Sequence, residues 1–275
     1  MKIMQLTDLH IGSQPFSEED QQTFKIIENL VEKYKADIIV ITGDLISSKE
    51  PDSLNTFKKV IDFFDQLNVP FAVTLGNHDS EADYNRADLW KIIDKSKMHV
   101  KREGGAVLND CYSYFYTLEN GIRIYMLDAG DYARSPFEGV AFVTCEQQKW
   151  LVNRAKNRTL PDQLFMHMPL PEYADAAEKG YVGNHNEPVS VPCINSGLWY
   201  KLFYNTTIKA VYCGHDHNND FSSNYYGIQL NYGRVTGENS YGLLKRGARM
   251  IEWDDKLNRK TYIVEADDDP VSTEA

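Results

Sequence analysis

The stretch ADIIVITGD, residues 36–44, is a run of mostly β-branched residues that ends in a glycine and an aspartate. Such a run is typical of a strand that is buried on both faces of a sheet. Apolar residues at helical spacing flank it at 24–34 and 54–67, and further strand-like runs stand at 3–6 and 69–77. This βαβαβ order predicts a largely parallel sheet with right-handed crossovers.

The second half of the chain mixes strand and helix patterns less regularly. A hairpin is predicted over 112–128, with a type I′ turn at Asn120-Gly121. The whole pattern predicts an α/β fold in which two mixed β-sheets pack as a sandwich flanked by helices. Its further predicted elements are helices at 146–156 and 198–204 and strands at 163–167, 208–215, 227–233 and 248–265.

The domain organisation follows from the absence of internal divisions. No linker, repeat or low-complexity tract interrupts the sequence, so residues 1–265 are predicted to form one domain. The final stretch ADDDPVSTEA, residues 266–275, is acidic and lacks large apolar side chains. That composition predicts a disordered tail.

Composition also narrows the possible partners. The 40 acidic residues outnumber the 29 basic ones, for a net charge of -11, which would repel nucleic acids and anionic membranes. The four cysteines lack CxxC spacing, and no run resembles a signal peptide or a membrane span. We therefore expect a cytoplasmic protein that acts on a small molecule or on another protein. The sequence leaves the oligomeric state open.

Polar side chains follow five of the predicted strands at the point where each strand ends. Open α/β sheets place their binding sites at the carboxyl ends of strands. Carboxylate, amide and imidazole donors together suit iron, manganese or zinc, and the lack of cysteine argues against a closed structural zinc site. The residues are Asp8, His10, Asp44, Asn77, His78, Asp79, His167, His215 and His217.

These donors are too many for one ion. A bridging aspartate would allow two ions, about 3.5–4 Å apart, to activate a water between them. Taken singly, Asp8 and Asp44 could be helix caps or turn residues, and His167 could be a core histidine. Together, those alternatives require five coincidences at equivalent strand ends. His99 and His185 fall outside the pattern, and we interpret them as surface or loop residues.

In order and spacing, these residues resemble the motifs of the calcineurin-like metallophosphoesterase family. Flanking stretches such as MPLPEY (168–173) and NYGRVTGENSYG (231–242) resemble its purple-acid-phosphatase-like branch. True purple acid phosphatases carry a tyrosinate ligand shortly after the G-D aspartate, whereas this chain reads GDLISS at 43–48, so an iron–tyrosinate centre is not expected. The family blocks D-x-H, G-D, G-N-H-[DE], a lone His and G-H-x-H stand here as Asp8-Leu9-His10, Gly43-Asp44, Gly76-Asn77-His78-Asp79, His167 and Gly214-His215-Asp216-His217.

The resemblance implies a four-layer αββα fold and two metal ions, whether iron, manganese or zinc. It also implies hydrolysis of phosphomonoesters, phosphoproteins included, by a hydroxide that bridges the ions. His78 would protonate the leaving group, and Asp79 would orient His78. One ion would be held by Asp8, His10, Asp44 and His217, and the other by Asp44, Asn77, His167 and His215.

Three alternatives stay open at this stage: a phosphodiesterase, a nucleotide pyrophosphatase, and a non-catalytic interaction scaffold. The loops at 131–142 and 172–192 are expected to control access to the site. Arg134, Arg234 and Tyr173 are candidate contacts to the phosphate or the leaving group. Surface or structural roles are the simpler interpretation of these three residues.

Overall fold

The computed structural model describes residues 1–267, which form twelve strands and six α-helices. The strands are β1 (Lys2–Leu6), β2 (Ile38–Thr42), β3 (Phe71–Thr74), β4 (Glu103–Leu108), β5 (Cys111–Thr117), β6 (Arg123–Met126), β7 (Gln163–Phe165), β8 (Ala210–Cys213), β9 (Ser222–Tyr225), β10 (Ile228–Tyr232), β11 (Gly247–Trp253) and β12 (Arg259–Glu265). The helices are α1 (Glu18–Tyr34), α2 (Ser53–Gln66), α3 (Arg86–Ile93), α4 (Cys145–Ala155), α5 (Glu172–Lys179) and α6 (Leu198–Asn205).

The strands form two mixed sheets. The five-stranded sheet has the order β12-β11-β1-β2-β3, and the seven-stranded sheet has the order β4-β5-β6-β7-β8-β10-β9. Each sheet contains a block of parallel strands, β1-β2-β3 in one and β6-β7-β8-β10 in the other. Antiparallel strands adjoin this block on one side in the first sheet and on both sides in the second, so the predicted α/β fold with two mixed sheets is confirmed.

One apolar core joins the two sheets. It contains Ile3 and Ile39 of the first sheet together with Phe165 and Tyr212 of the second. The rings of Phe165 and Tyr212 stack with their centroids 4.7 Å apart. Burial of such large aromatic side chains supplies much of the driving force for folding. The sheets are thereby held face to face, as a sandwich requires.

Helices cover the outer faces of both sheets. All five residues of β2 are buried, because α1 and α2 bring apolar faces that include Ile27 and Phe57 against the first sheet. The second sheet packs against α4, α5 and α6 through side chains such as Trp150 and Leu202. Helix α1 begins at a capping box, in which the Ser17 side chain accepts from the Asp20 N–H at 3.1 Å. None of the helices within residues 1–267 is long and apolar enough to span a membrane.

The structure corrects one turn. The β5–β6 hairpin does not close through a type I′ turn at Asn120-Gly121, because that turn needs a positive φ at both residues and only Gly121 has one, at 81°. The chain instead closes a longer loop, in which the Gly121 N–H donates to the Leu118 carbonyl at 2.8 Å. The predicted disordered tail lies outside the described residues, apart from Ala266 and Asp267.

Candidate metal centre

Segments that follow strands of both sheets converge at one edge of the sandwich. The Asp8 N–H donates to the Gly43 carbonyl at 3.1 Å, which joins the ends of β1 and β2. The His215 N–H donates to the Asp8 carboxylate at 3.1 Å, which ties the end of β8 to the end of β1. The carboxyl ends of the parallel strands therefore deliver their polar side chains to one place.

A first group of donors consists of Asp8, His10 and His217, whose donor atoms lie within 4.8 Å of one another. The His10 Nε2 atom lies 3.3 Å from the His217 Nε2 atom. The His217 Nε2 atom also lies 3.4 Å from an Asp8 oxygen. These side chains come from the ends of two strands in different sheets. The group offers two imidazole nitrogens and one carboxylate to a single point.

A second group consists of Asp44, His167 and His215, with donor atoms that are equally close. The His215 Nδ1 atom lies 3.3 Å from the His167 Nε2 atom. The Asn77 side-chain oxygen lies 3.1 Å from the same His167 nitrogen. The structure thus brings together all seven residues that the sequence suggested as ligands.

Asp44 lies between the two groups. Its Oδ2 atom is 3.7 Å from His10 Nε2 in the first group and 3.1 Å from His167 Nε2 in the second. This oxygen is buried, and among the described residues only imidazole nitrogens approach it. The other oxygen, Oδ1, accepts the His78 N–H at 2.8 Å, which fixes the carboxylate. A buried carboxylate oxygen is costly unless a charge compensates it.

Hydrogen bonds orient the histidines towards the centre. The His167 Nδ1 atom lies 2.7 Å from the Thr42 carbonyl, which can only accept a hydrogen bond, so Nδ1 carries a proton. In the neutral ring the Nε2 lone pair is therefore free to act as a ligand. The His217 ring stacks on Tyr241, with centroids 4.0 Å apart. Both rings are held before any ligand arrives.

The backbone at the centre is strained. Four of the candidate ligands, Asp8, His10, Asp44 and His215, have φ values of 55°, 46°, 51° and 78°. This left-handed region costs a residue other than glycine about 1 kcal/mol or more, and it is concentrated at functional sites. A Cβ atom at Gly76 would collide with the Asp44 carboxylate, which explains a glycine of the G-N-H block. The strained backbone directs these side chains towards the centre.

The carboxylates of the centre remain ionised at neutral pH. Burial works to raise the pKa of Asp8, but the nearby His217 outweighs it and lowers the pKa to about 2. Burial also works to raise the pKa of Asp44, but His167 outweighs burial and holds that pKa below its usual range. Conversely, Asp44 overcomes burial and raises the pKa of His167 to about 10. A cation that binds here at neutral pH must therefore displace a proton from His167.

The expectation that Asp79 orients His78 is wrong. The Asp79 carboxylate accepts backbone N–H groups from Leu45 at 2.8 Å, Asp44 at 3.0 Å and Gly76 at 2.8 Å. Burial and the charge of Asp44 raise the pKa of Asp79 to about 6. Asp79 is turned away from His78 because these N–H groups hold both of its oxygens. It fixes the loop that presents Asp44.

Glu81 contacts His78 instead, and the sequence analysis missed it. The Glu81 Oε2 atom lies 2.6 Å from His78 Nδ1, and its Oε1 atom accepts from the Tyr132 hydroxyl at 2.7 Å and pairs with Lys49 at 2.9 Å. Partial burial works to raise the pKa of Glu81, but the hydrogen bonds from His78, Lys49 and Tyr132 lower it. A 3-10 turn at His78–Ser80 brings His78 and Glu81 together, and their three-residue spacing is the signal that was available.

Other candidates lie elsewhere. Arg234 is buried against Asp220, and the Tyr173 hydroxyl lies 2.9 Å from the Val211 carbonyl, so both have structural roles. Arg134 is exposed and pairs with Asp110 at 2.7 Å. Structural roles therefore fit Arg234 and Tyr173, and Arg134 lies at the surface.

His99 lies in the loop between α3 and β4, as expected of a loop residue, but it is half-buried and not at the open surface. His99 packs among aromatic rings, with its centroid 5.4 Å from that of Phe71 and 5.7 Å from that of Tyr114. Its Nε2 atom lies 3.2 Å from the Tyr114 hydroxyl. His99 thus belongs to the packing around the first sheet and not to the metal centre.

The donor set fits metal cations. Two ionised aspartates, an amide oxygen and four imidazoles are the ligands that iron, manganese and zinc accept. The buried Asp44 oxygen faces imidazole nitrogens of both groups, where one cation or two would compensate its charge. Taken as geometry, two groups that meet at one carboxylate match the arrangement of a two-metal site.

Comparisons with known proteins agree with this geometry. A family model described as calcineurin-like phosphoesterase matches residues 1–219. The Arabidopsis thaliana protein named probable inactive purple acid phosphatase 14 is 26% identical over 309 residues, which cover 95% of this chain and 76% of that protein.

Two solved structures share the fold. A dimetal phosphatase from Danio rerio superposes with a TM-score of 0.69 at 14% identity, over 96% of this chain and 97% of that chain. A purple acid phosphatase from yellow lupin (Lupinus luteus) seeds superposes with a TM-score of 0.62 at 14% identity, over 98% of this chain and 52% of that chain. At such identities the likeness is one of fold.

Proposed function

Because this chain belongs to the calcineurin-like phosphoesterase family, we propose that it hydrolyses phosphomonoesters at a centre of two metal ions. The observation that carries the proposal is the position of Asp44, whose Oδ2 atom lies within 3.7 Å of one histidine group and 3.1 Å of the other. A carboxylate in this position serves two cations at once.

The proposed ligand assignment divides the seven donors between two ions that share Asp44. Bound ions would supply Lewis acidity at the phosphoryl oxygens and a water of lowered pKa as the nucleophile. Iron, manganese and zinc all fit the donors, and supply decides among them as much as the ligands do. The first ion would be held by Asp8, His10, Asp44 and His217, and the second by Asp44, Asn77, His167 and His215.

His78 is proposed to give a proton to the departing oxygen. Its side chain is 36% exposed, and its ring centroid lies 5.3 Å from that of His10, so it lies at the open rim of the centre. Glu81 accepts the Nδ1 proton, which leaves Nε2 to hold and release the second proton. Such proton transfer contributes typically 10²–10⁴-fold to a rate, so about 3–5 kcal/mol of the barrier.

The proposed substrate is a phosphomonoester on a small molecule or a protein. Similarity to proteins named purple acid phosphatases supports a monoester. The net charge of -11 argues against nucleic acid as a substrate and against anionic membranes as partners. A phosphodiesterase would need the same centre with a different opening, so the choice depends on the loops around it.

A non-catalytic scaffold is the second candidate, favoured by the word inactive in the name of the Arabidopsis relative. This chain retains both donor groups and the His78–Glu81 pair. A scaffold would have no use for a proton donor held at 2.6 Å by a carboxylate. The retained pair therefore favours the enzyme.

Two chromogenic substrates distinguish these functions. The protein is first treated with a chelator, then loaded with Mn²⁺, Zn²⁺ or Fe²⁺ and assayed with p-nitrophenyl phosphate and with bis(p-nitrophenyl) phosphate. We expect a cation to restore hydrolysis, with the monoester preferred. Preference for the bis ester would identify a diesterase. Two bound cations with no hydrolysis of either ester would favour the scaffold.

A further inference from the structure

A cavity of about 650 Å³ opens beside the candidate centre. Ligand pockets in proteins typically measure about 300–1,000 Å³, so this one is large enough for a small organic group. Its walls come from the loop after β6, the start of α3 and the β4–β5 turn. None of the seven candidate metal ligands lines it, so the cavity is distinct from the metal centre.

Tyr132 connects the cavity to the proposed proton donor. This residue lines the cavity, and its hydroxyl lies 3.3 Å from the Asn77 side-chain nitrogen and 2.7 Å from Glu81. Glu81 in turn holds His78. If His78 protonates the departing oxygen, the organic part of the substrate must leave on the His78 side. The cavity is linked to that side through Tyr132, which contacts Glu81.

Four aromatic side chains stand among the polar and small residues that line the cavity. They are Tyr84, Tyr132, Phe137 and Phe142. Tyr132 and Phe137 are each 43% exposed, which leaves ring surface available to a ligand. Phe137 and Phe142 meet edge to face, with their ring centroids 5.7 Å apart. A third ring can extend such an arrangement, because aromatic pairs prefer edge-to-face or offset contacts.

The two guanidinium groups on the walls are already paired. The guanidinium of Arg86 is held by Asp128 at 2.7 and 2.8 Å, and that of Arg134 is held by Asp110 at 2.7 Å. Asp131 adds a further carboxylate to the lining. The cavity therefore does not favour a second phosphate or an acidic group. Its chemistry suits an uncharged ring.

We propose that this cavity binds the leaving group of the substrate, and that this group is an uncharged aromatic ring joined to the phosphate. The inference rests on the proposed function, because it concerns the organic part of the same phosphomonoester. The geometry that carries it is a partly exposed aromatic wall whose Tyr132 touches both Asn77 and the carboxylate that holds His78.

The test compares ligands that differ only in aromaticity. Benzylphosphonate and cyclohexylmethylphosphonate have the same anionic head and a six-membered ring, and neither is hydrolysed. Their dissociation constants from the Mn²⁺-loaded protein are measured by calorimetry. The saturated ring is the more hydrophobic, so tighter binding of the benzyl compound reports contacts with the aromatic walls. We expect it to bind roughly two- to tenfold more tightly.

Two matched variants locate the preference. Phe137→Leu removes an aromatic wall while keeping an apolar side chain, and we expect the ratio of dissociation constants to fall towards one. Phe203→Leu is the control, since Phe203 is also 43% exposed but lies on α6 and does not line the cavity. Its ratio should equal that of the wild type. Phe142→Leu gives a second test of the wall.

Each outcome has a definite meaning. Equal dissociation constants, tighter binding of the saturated compound, or no binding of either one overturns the proposal. A preference that survives both Phe137→Leu and Phe142→Leu also overturns it. If the protein hydrolyses p-nitrophenyl phosphate but does not bind the benzyl compound more tightly, this inference fails and the proposed function stands. Lack of hydrolysis with any cation instead rejects the proposed function, while the phosphonate ratio still decides the chemistry of the cavity.

Discussion

His167 and His99 both lie away from the open surface, yet their surroundings are opposite. His167 lies at a strand end, with its Nε2 atom 3.1 Å from Asp44, which overcomes burial and raises its pKa to about 10. His99 lies among Phe71, Trp90 and Tyr114. There burial lowers its pKa to about 3, so its ring stays neutral.

The difference shows that neighbours, and not burial, distinguish a candidate ligand from a packing residue. Burial by itself disfavours the charged ring at both positions. Only His167 has a carboxylate to compensate it, with Asp44 Oδ2 3.1 Å from its Nε2 atom. A centre that attracts cations is thus a place where ionised carboxylates are buried beside imidazole nitrogens.

Asp44→Asn is expected to have the largest effect. It removes the charge shared by both groups, so bound metal, counted by elemental analysis, should fall from two ions per chain to fewer than one. Hydrolysis should fall by more than about 10³-fold. His99→Gln is the matched control and should retain its metal. Circular dichroism checks that Asp44→Asn is folded. If the folded variant still binds two ions, the surroundings of His167 would not differ from those of His99 in the way proposed.

His78→Asn should rank second. The two donor groups remain, so the metal content should be unchanged. Turnover of an alkyl phosphate should fall by about 10²-fold or more, because its alkoxide needs a proton as it leaves. Turnover of p-nitrophenyl phosphate, whose leaving group is far less basic, should fall much less. An equal loss on both substrates, measured as kcat, would contradict the role of His78 as a proton donor.

The pH dependence of stability tests the surroundings of His99. The pKa of His99 is lowered to about 3 in the folded protein, against 6.5 when unperturbed. The unfolded chain therefore binds the extra proton between these values, and stability must fall as pH drops from 6.5 towards 3. The contribution approaches about 1.4 kcal/mol per pH unit.

His99→Gln removes that contribution. Urea unfolding at pH 6.5 and at pH 5 should show a smaller loss of stability in the variant than in the wild type, by about 2 kcal/mol. Identical losses in the two proteins would mean that His99 is protonated as readily in the fold as in the unfolded chain.

Glu81→Gln should have the smallest effect. The amide can still accept the His78 Nδ1 proton but loses the charge that stabilises the protonated ring. Proton transfer to the departing alkoxide should weaken, so we expect about tenfold slower turnover of an alkyl phosphate at neutral pH, measured as kcat. Turnover of p-nitrophenyl phosphate, whose leaving group is far less basic, should change little. An equal loss on both substrates would assign Glu81 a purely structural role.

The strand-end residues could be predicted from sequence because their signal is local. A buried β-branched run followed by Gly43-Asp44 states both where the strand ends and which side chain follows it. The sandwich of two mixed sheets followed from the same runs, together with the family resemblance. Polar residues recur in the same way after β1, β2, β3, β7 and β8, so the sequence alone predicts the donor set.

Partners fixed by tertiary contacts could not be predicted. The family resemblance implied that Asp79 orients His78, but the carboxylate accepts the N–H groups of the Asp44 loop instead. Glu81 reaches His78 only because a 3-10 turn intervenes. Similarly, the placement of β11 beside β1 depends on packing between distant segments, which no local pattern states.

The central claim is that two cations share Asp44. Anomalous diffraction from crystals of Mn²⁺-loaded protein tests it most directly. We predict two manganese peaks, one on each side of the Asp44 carboxylate and roughly 3.5–4 Å apart. A single peak, or peaks away from Asp44 in protein that elemental analysis shows to be loaded, would contradict the account.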